Sequence, residues 1–415
     1  MGRLAIGCIA DDFTGGSDAA SFLKKGGLPT LLINGDAYLN CLLGEDTRAV
    51  VIALKTRSIE AAEAVRQSLA AVRWLLEQGA EKIYFKYCST FDSTDKGNIG
   101  PVTDSLMELM DEPYTVLCPA LPVNGRTVKD GILYVNGIPL GESHMRFHPL
   151  NPMTESKIEN IMSRQSRYPC VTVDSRLLDS GKDKVKAYIL QAAEAAGHAT
   201  AVPDYFSTEQ GARLAEYFAD LRLLTGGSGL LEYIAGRESA LERRDQKSHE
   251  SPLPGRKLIL AGSCSNMTQK QVAAYLHSGK KALRLNPEEL ISGRQKLEDV
   301  IKTVRETGED LLVYSTAAPE EICRSGEGCD VSAMLEKAMG LLAENALEAG
   351  VKKLIVAGGE TSGAVTRKLG FARFHIGEDA APGVPVMTPL EREDIRLVLK
   401  SGNFGDEDFF LNTLD

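Results

Sequence analysis

The sequence predicts an α/β protein of two domains with largely parallel sheets. Short runs rich in Val, Ile and Leu alternate with longer stretches of helical period. Those runs are continuous instead of alternating with polar residues, as expected of strands buried on both faces beneath helical crossovers. The third observation is length: 415 residues exceed the roughly 250 to 300 at which a single core stops growing.

In the first half, strands are expected over Leu4 to Ala10, Ala49 to Leu54, Lys82 to Tyr87 and Tyr114 to Cys118. The clearest crossover helices are Glu60 to Glu77 and Lys184 to Ala196. The pattern then lapses into Arg237 to Lys257, a charged segment ending in two prolines and a glycine, which reads as an interdomain linker. The division is drawn as residues 1–245 and 246–415, with Glu250 in the linker. Beyond it, strands are expected over Leu258 to Ala261, Ala282 to Leu285, Leu311 to Tyr314, Lys353 to Ala357 and Ile395 to Leu399. No internal repeat is visible.

Composition excludes several classes. A net charge of −10 works against a nucleic-acid surface, which needs clustered Lys and Arg. The apolar run Leu4 to Ala10 is far short of the roughly 20 residues that span a bilayer. Asp11 and Asp12 end that run too early for a signal peptide, and Ile6 stands where a myristoylation signal wants Ser or Thr. A cytoplasmic protein is expected. The eight cysteines lack a CxxC pair and are read as reduced and mostly buried; Cys323 and Cys329, close together in a Gly-rich loop, are read as two loop thiols, the alternative being a redox pair. Metal-ligand spacings such as HExxH are absent.

The first chemical motif is IADDFTGGSDAA, Ile9 to Ala20, in which a strand ends in two carboxylates and enters a helix through two glycines. Ligands bind at the carboxyl ends of strands in open α/β sheets. Adjacent aspartates do not both suit a core, so at least one of Asp11 and Asp12 should face a site, there to bind hydroxyls or take a proton. The alternative is that Asp12 or Thr14 only caps the helix.

A second polar loop, Lys86 to Pro101, follows another strand and gathers Asp92, Ser93, Lys96 and Asn98. Its hydroxyls and amides suit a polyhydroxy acid, with Lys86 or Lys96 for a carboxylate, although a plain turn would look alike. In CPALPVNGRTVKDG, Arg126 could clamp a carboxylate bidentately. His148, before Pro149, is either an acid or base or a hydrogen-bonded loop residue.

The second half carries three small-residue loops, each after an apolar strand: GSCSNMT (Gly262 to Thr268), AGGETSGAV (Ala357 to Val365) and KSGNFG (Lys400 to Gly405). Small residues let backbone N–H groups approach phosphate oxygens. No P-loop is present, because Ala364 stands where its lysine would be.

Through these motifs in this order, together with HPLNPMT, the sequence resembles the four-carbon acid sugar kinase family, in its 3-oxo-tetronate kinase branch. The resemblance implies an N-terminal sugar-acid-binding domain, a C-terminal nucleotide-binding domain and a ligand cleft between them. It implies ATP contacts at Ser265, Gly358, Gly359, Glu360, Thr361 and Gly402, with Mg²⁺ on the phosphates. The sugar acid is placed against Asp11, Asp12 and the Asp92 to Asn98 loop, with Asp12 the first choice of catalytic base and Asp92 the second. One departure concerns specificity: Asp95 and Lys96 stand where many relatives have Leu and Arg in DSTLRGN. The expected reaction phosphorylates the C4 hydroxyl of a 3-oxo-tetronate, the alternatives being a threonate or erythronate kinase or a non-catalytic sugar-acid sensor. Small molecules are the expected partners, without nucleic acid or membrane, and a homo-oligomer is compatible with this reading.

Overall fold

The computed structural model describes residues 4–148, 151–242, 253–315 and 331–414. It divides into two units, Met1–Gln246 and Lys247–Asp415. Cys323, Cys329 and Pro149 lie outside the described residues, as do residues 243–252 of the expected linker. The start of that linker is instead helical, since the helix Leu231–Glu242 runs on through Arg237. Its Glu, Ala and Arg content favours helix, and the first glycine or proline stop comes only at Pro252.

In the first unit the main sheet runs β2 (Thr30–Asn34), β3 (Ala49–Ala53), β1 (Ile6–Ala10), β4 (Lys82–Lys86), β11 (Leu223–Gly226), β5 (Tyr114–Cys118), β10 (Ala199–Pro203), β9 (Cys170–Val173). All its pairings are parallel. β1, β3, β5 and β10 are buried at every position; the first three fall in the apolar runs expected to be strands, whereas β10, ATAVP, is too short and too weakly apolar to stand out. A separate small antiparallel sheet comprises β6 (Arg126–Lys129), β7 (Ile132–Val135) and β8 (Ile138–Pro139).

Helices α1 (Phe13–Lys25), α2 (Ala61–Glu77) and α3 (Ile99–Met110) supply crossovers near the amino end. Because β1 is flanked by β3 on one side and β4 on the other, the chain reverses its direction of travel across the sheet there. Such a switch point leaves a crevice at the strands' carboxyl ends. The loops after β1, β3 and β4 therefore become neighbours.

The second unit repeats this logic. Its order is β13 (Ala282–Arg284), β14 (Leu311–Tyr314), β12 (Lys257–Ala261), β15 (Lys353–Ala357), β18 (Arg396–Lys400), β17 (Val384–Pro389), β16 (Arg373–Ala381). The first five are parallel, and β17 and β16 add an antiparallel ribbon that periodicity alone had not marked. Ile259, Leu312, Ile355 and Val398 meet in its core with Tyr275, Phe409 and Phe410. With β12, β15 and β18 side by side, the three small-residue loops emerge together.

Candidate active site

Of the paired aspartates, Asp12 caps α1: its Oδ1 accepts the Gly15 N–H at 2.6 Å. A Cβ at Gly15 would stand 2.5 Å from that oxygen, so this close approach requires glycine. The other Asp12 oxygen, Oδ2, lies 2.8 Å from Nη1 of Arg57. Capping and a charged contact are thus combined in one carboxylate.

Asp11 is buried and takes the same guanidinium bidentately, Nε to Oδ2 at 2.9 Å and Nη2 to Oδ1 at 2.7 Å. Asp92 is the third carboxylate, with Oδ2 3.9 Å from Arg57 Nη1. Burial pushes the Asp11 carboxyl above its ordinary range, and Arg57 opposes that. Burial likewise works against the Arg57 charge, but Asp11 and Asp12 outweigh it and hold the guanidinium protonated. Two short N–H···O contacts of this kind mark an ion pair.

Arg57 was not singled out in the sequence. It sits in LKTRS, immediately after β3, and the strand-end rule that selected the loops after β1 and β4 applies to it equally. Asn98 fixes that loop, since its amide donates to the carbonyls of Thr56 (2.6 Å), Ile59 (3.0 Å) and Arg57 (3.3 Å). The cluster is thereby tied to the start of α3.

Asp92 is held by local strain and a relay. Phe91 and Asp92 both have positive φ, 64° and 25°, a conformation costly for residues with side chains. Thr90 Oγ1 donates to Asp92 Oδ1 at 2.7 Å, and Cys88 lies 2.9 Å behind it. Burial lifts the Cys88 thiol to about 12, so it stays protonated and donates into this chain.

Lys86, buried at the end of β4, stands 3.6 Å from Asp18, which also accepts from Ser228 at 2.6 Å. Burial raises the Asp18 carboxyl, with Lys86 and Ser228 opposing. Ser93 points to Gln165, donating at 3.1 Å. Lys96 is exposed and makes no ion pair among the described residues, while Asp95 beside it pairs with Arg164 at 3.0 Å. Arg126 stays on the small sheet, with Nη1 on the Asn124 carbonyl and a buried Nε that has no hydrogen-bond partner among the described residues. His148 is a hydrogen-bonded loop residue whose Nδ1 accepts the Asn151 N–H at 3.1 Å. The structure therefore brings together Asp11, Asp12 and Asp92 through Arg57, with Asn98 beneath, and leaves Ser93, Lys96 and Arg126 outside those contacts.

In the second unit, Ser265 caps the helix Asn266–His277, and Thr268 Oγ1 donates to the Gly402 carbonyl at 2.8 Å. A Cβ on Gly402 would lie 2.4 Å from Ser263 Oγ and 2.6 Å from Ser265 Oγ. The Gly358 N–H donates to the Lys400 carbonyl, and the Gly262 and Ser263 N–H groups to that of Ala357. Beside Gly262, Ser263, Gly358 and Thr361 lies a cleft of about 280 Å³, bordered by Glu336 and Met339. Glu360 and Gly359, at the N-terminus of the helix Gly359–Leu369, are exposed. A helix start facing a cleft walled by serines and glycines suits an anionic phosphate chain.

A crevice of carboxylates around an arginine in one unit and a cleft of small-residue loops at a helix start in the other suit a protein that handles a sugar derivative and a nucleotide. Residues 6–234 match the sugar-binding N-terminal domain family, and residues 258–410 match the nucleotide-binding C-terminal domain family. The chain belongs to the family that joins these two domains, the four-carbon acid sugar kinases that its motifs resemble. A relative from Pseudomonas savastanoi pv. phaseolicola, named 3-oxo-tetronate kinase, is 42% identical across 99% of this chain and 97% of its own. Another of that name, from Actinobacillus succinogenes, is 44% identical across 98% of each. The fold also matches two crystal structures at 42% identity. A Haemophilus influenzae protein gives a TM-score of 0.81 over 98% of both chains. A Salmonella typhimurium LT2 protein, described as a tRNA synthase, gives 0.89 over 99% of this chain and 98% of that one.

Proposed function

We propose that this protein transfers the γ-phosphoryl group of ATP to the C4 hydroxyl of a 3-oxo-tetronate, giving the 4-phosphate and ADP. The observation that carries this reading is the near-full-length identity to relatives named 3-oxo-tetronate kinase. The Arg57-centred cluster at one switch point and the three phosphate-suited loops at the other support it.

Arg57 has five N–H donors, of which three are engaged by Asp11 and Asp12. The remaining two are the cluster's natural contacts for an acid's carboxylate or oxo group. Asp12 has the most accessible of the three carboxylates, with 32% of its side chain exposed against 8% for Asp11 and 9% for Asp92. It is the proposed base. As the C4 oxygen bonds to the γ-phosphorus, the bond to the β–γ bridging oxygen breaks, ADP leaves with that electron pair, and the hydroxyl proton passes to Asp12. Asp92, held rigidly by Thr90, is the second candidate.

Ser265, Gly358, Gly359, Glu360, Thr361 and Gly402 are the proposed ATP contacts. Among the described residues no three His, Cys, Asp or Glu side chains converge as a metal cage. A Mg²⁺ arriving with the nucleotide would supply charge neutralisation to the phosphates.

The test is ADP release by the purified chain with Mg-ATP against 3-oxo-tetronates, erythronates and threonates of both hands, and no acid. Turnover confined to the oxo acids is expected. Preference for a plain tetronate would overturn the substrate, and silence on every acid would favour a sugar-acid sensor. A net charge of −10 weighs against a tRNA-directed activity.

A further inference from the structure

Strand β18 ends in Lys400, whose ammonium is 1% exposed. Its Nζ donates to the carbonyls of Gly402 (3.0 Å) and Ser401 (3.1 Å) and to Thr268 Oγ1 (3.2 Å). The rings of Phe410 and Phe409 lie 5.8 and 6.0 Å away. No carboxylate among the described residues forms an ion pair with it. Other buried lysines in this chain have one: Lys86 stands 3.6 Å from Asp18, and Lys257 stands 3.9 Å from Asp310.

A buried ammonium without an anion is costly, and a chain that retains one gains when a ligand completes the charge. The wiring around Lys400 indicates which ligand. Thr268 Oγ1 accepts from both Lys400 and Ser265 and donates to the Gly402 carbonyl, so one hydroxyl links the ammonium to the helix cap and the β18 turn. That turn packs against the crevice assigned above to phosphates: a Cβ on Gly402 would lie 2.4 Å from the hydroxyl of Ser263, one of the crevice's lining residues.

We propose that Lys400 is a positioning residue of the nucleotide site, locking the Ser401–Gly402 turn against Ser265, and that the anion it lacks is the phosphate chain of a bound nucleoside di- or triphosphate. This rests on the nucleotide-binding reading of the second unit. Burial alone lowers the proton affinity of Lys400, to about 7. The groups facing Nζ from the neighbouring helix, turn and C-terminal residues are a hydroxyl, two carbonyls and two phenyl rings, none of which titrates near neutral pH. Arrival of phosphate charge then favours the ammonium, and nucleotide binding above neutrality takes up a proton at Lys400.

The experiment is calorimetric titration of the full chain with Mg-ADP at pH about 8 in buffers of different ionisation enthalpy, for the wild type and Lys400→Met. The wild type is expected to bind with net proton uptake. Lys400→Met should bind roughly tenfold more weakly without uptake, while KM for the sugar acid is unchanged. Wild-type affinity in the variant, even with lowered thermal stability, would overturn the proposal, because a purely structural lysine leaves ADP binding unmoved. Should the variant not fold, the wild type decides alone: binding without proton uptake overturns the proposal. A wild type that does not bind ADP removes the nucleotide reading itself, a separate and distinguishable failure.

Discussion

The Arg57 guanidinium grips Asp11 through two hydrogen bonds of 2.7 and 2.9 Å and reaches Asp12 with a third nitrogen at 2.8 Å. One cation thus orients two consecutive carboxylates at the end of β1. Removing it would take from buried Asp11 its direct ion-pair partner and leave only the more distant charge of Lys86.

Arg57→Met is therefore expected to lower stability by about 3 kcal/mol and to abolish sugar-acid turnover, while ADP binding in the second unit persists. Arg57→Lys should fold better yet stay severely impaired, because a point charge cannot replace the planar fork. Thermal unfolding with ADP titration checks both. Wild-type turnover in the lysine variant would show that the bidentate geometry is dispensable.

Asp12→Asn keeps an oxygen able to cap α1 but loses the base. Turnover should fall by ~10² to 10⁴, with folding and ADP affinity nearly intact. Steady-state kinetics beside calorimetry would separate the two roles, and unchanged kcat would transfer the proton to Asp92.

Gly402→Ala places a methyl group where Ser263 and Ser265 hydroxyls now stand, at 2.4 and 2.6 Å. The serines must turn away, so KM for ATP should rise roughly tenfold with KM for the acid unmoved. Equal KM values in the variant and the parent would show that the turn does not contact nucleotide.

Lys400 sets a pH dependence of stability. Below about 7 its amine is protonated in the folded and unfolded chains alike, whereas between about 7 and its ordinary 10.5 only the unfolded chain holds the proton. Stability contributed by this residue therefore rises with pH across that window. Melting temperatures of the wild type and Lys400→Met, compared over pH about 6 to 10, should diverge, with the rise missing from the variant. Parallel curves would mean that its proton affinity is not lowered by folding.

Much of the architecture was legible because buried parallel strands carry an unbroken apolar signal: β1, β3, β12 and β15 all lie in runs expected to be strands. Strands β9 and β10 and the antiparallel ribbon of β16 and β17 were not marked. β9 is only partly buried, and β16 mixes buried with exposed positions across a register shift, which blurs any period.

By itself, the sequence determined the two α/β halves, the acidic and small-residue loops at strand ends, and the motifs that carry the family resemblance, since each is written in contiguous residues. Only the tertiary structure decided which loops are neighbours. Strand order sets β3 beside β1 and β18 beside β15, so Arg57 meets Asp11 from 46 positions away and Lys400 meets Thr268 from 132. Local propensity carries no information about such pairings; they follow from which strands lie side by side in each sheet, and that order exists only once the sheet has formed.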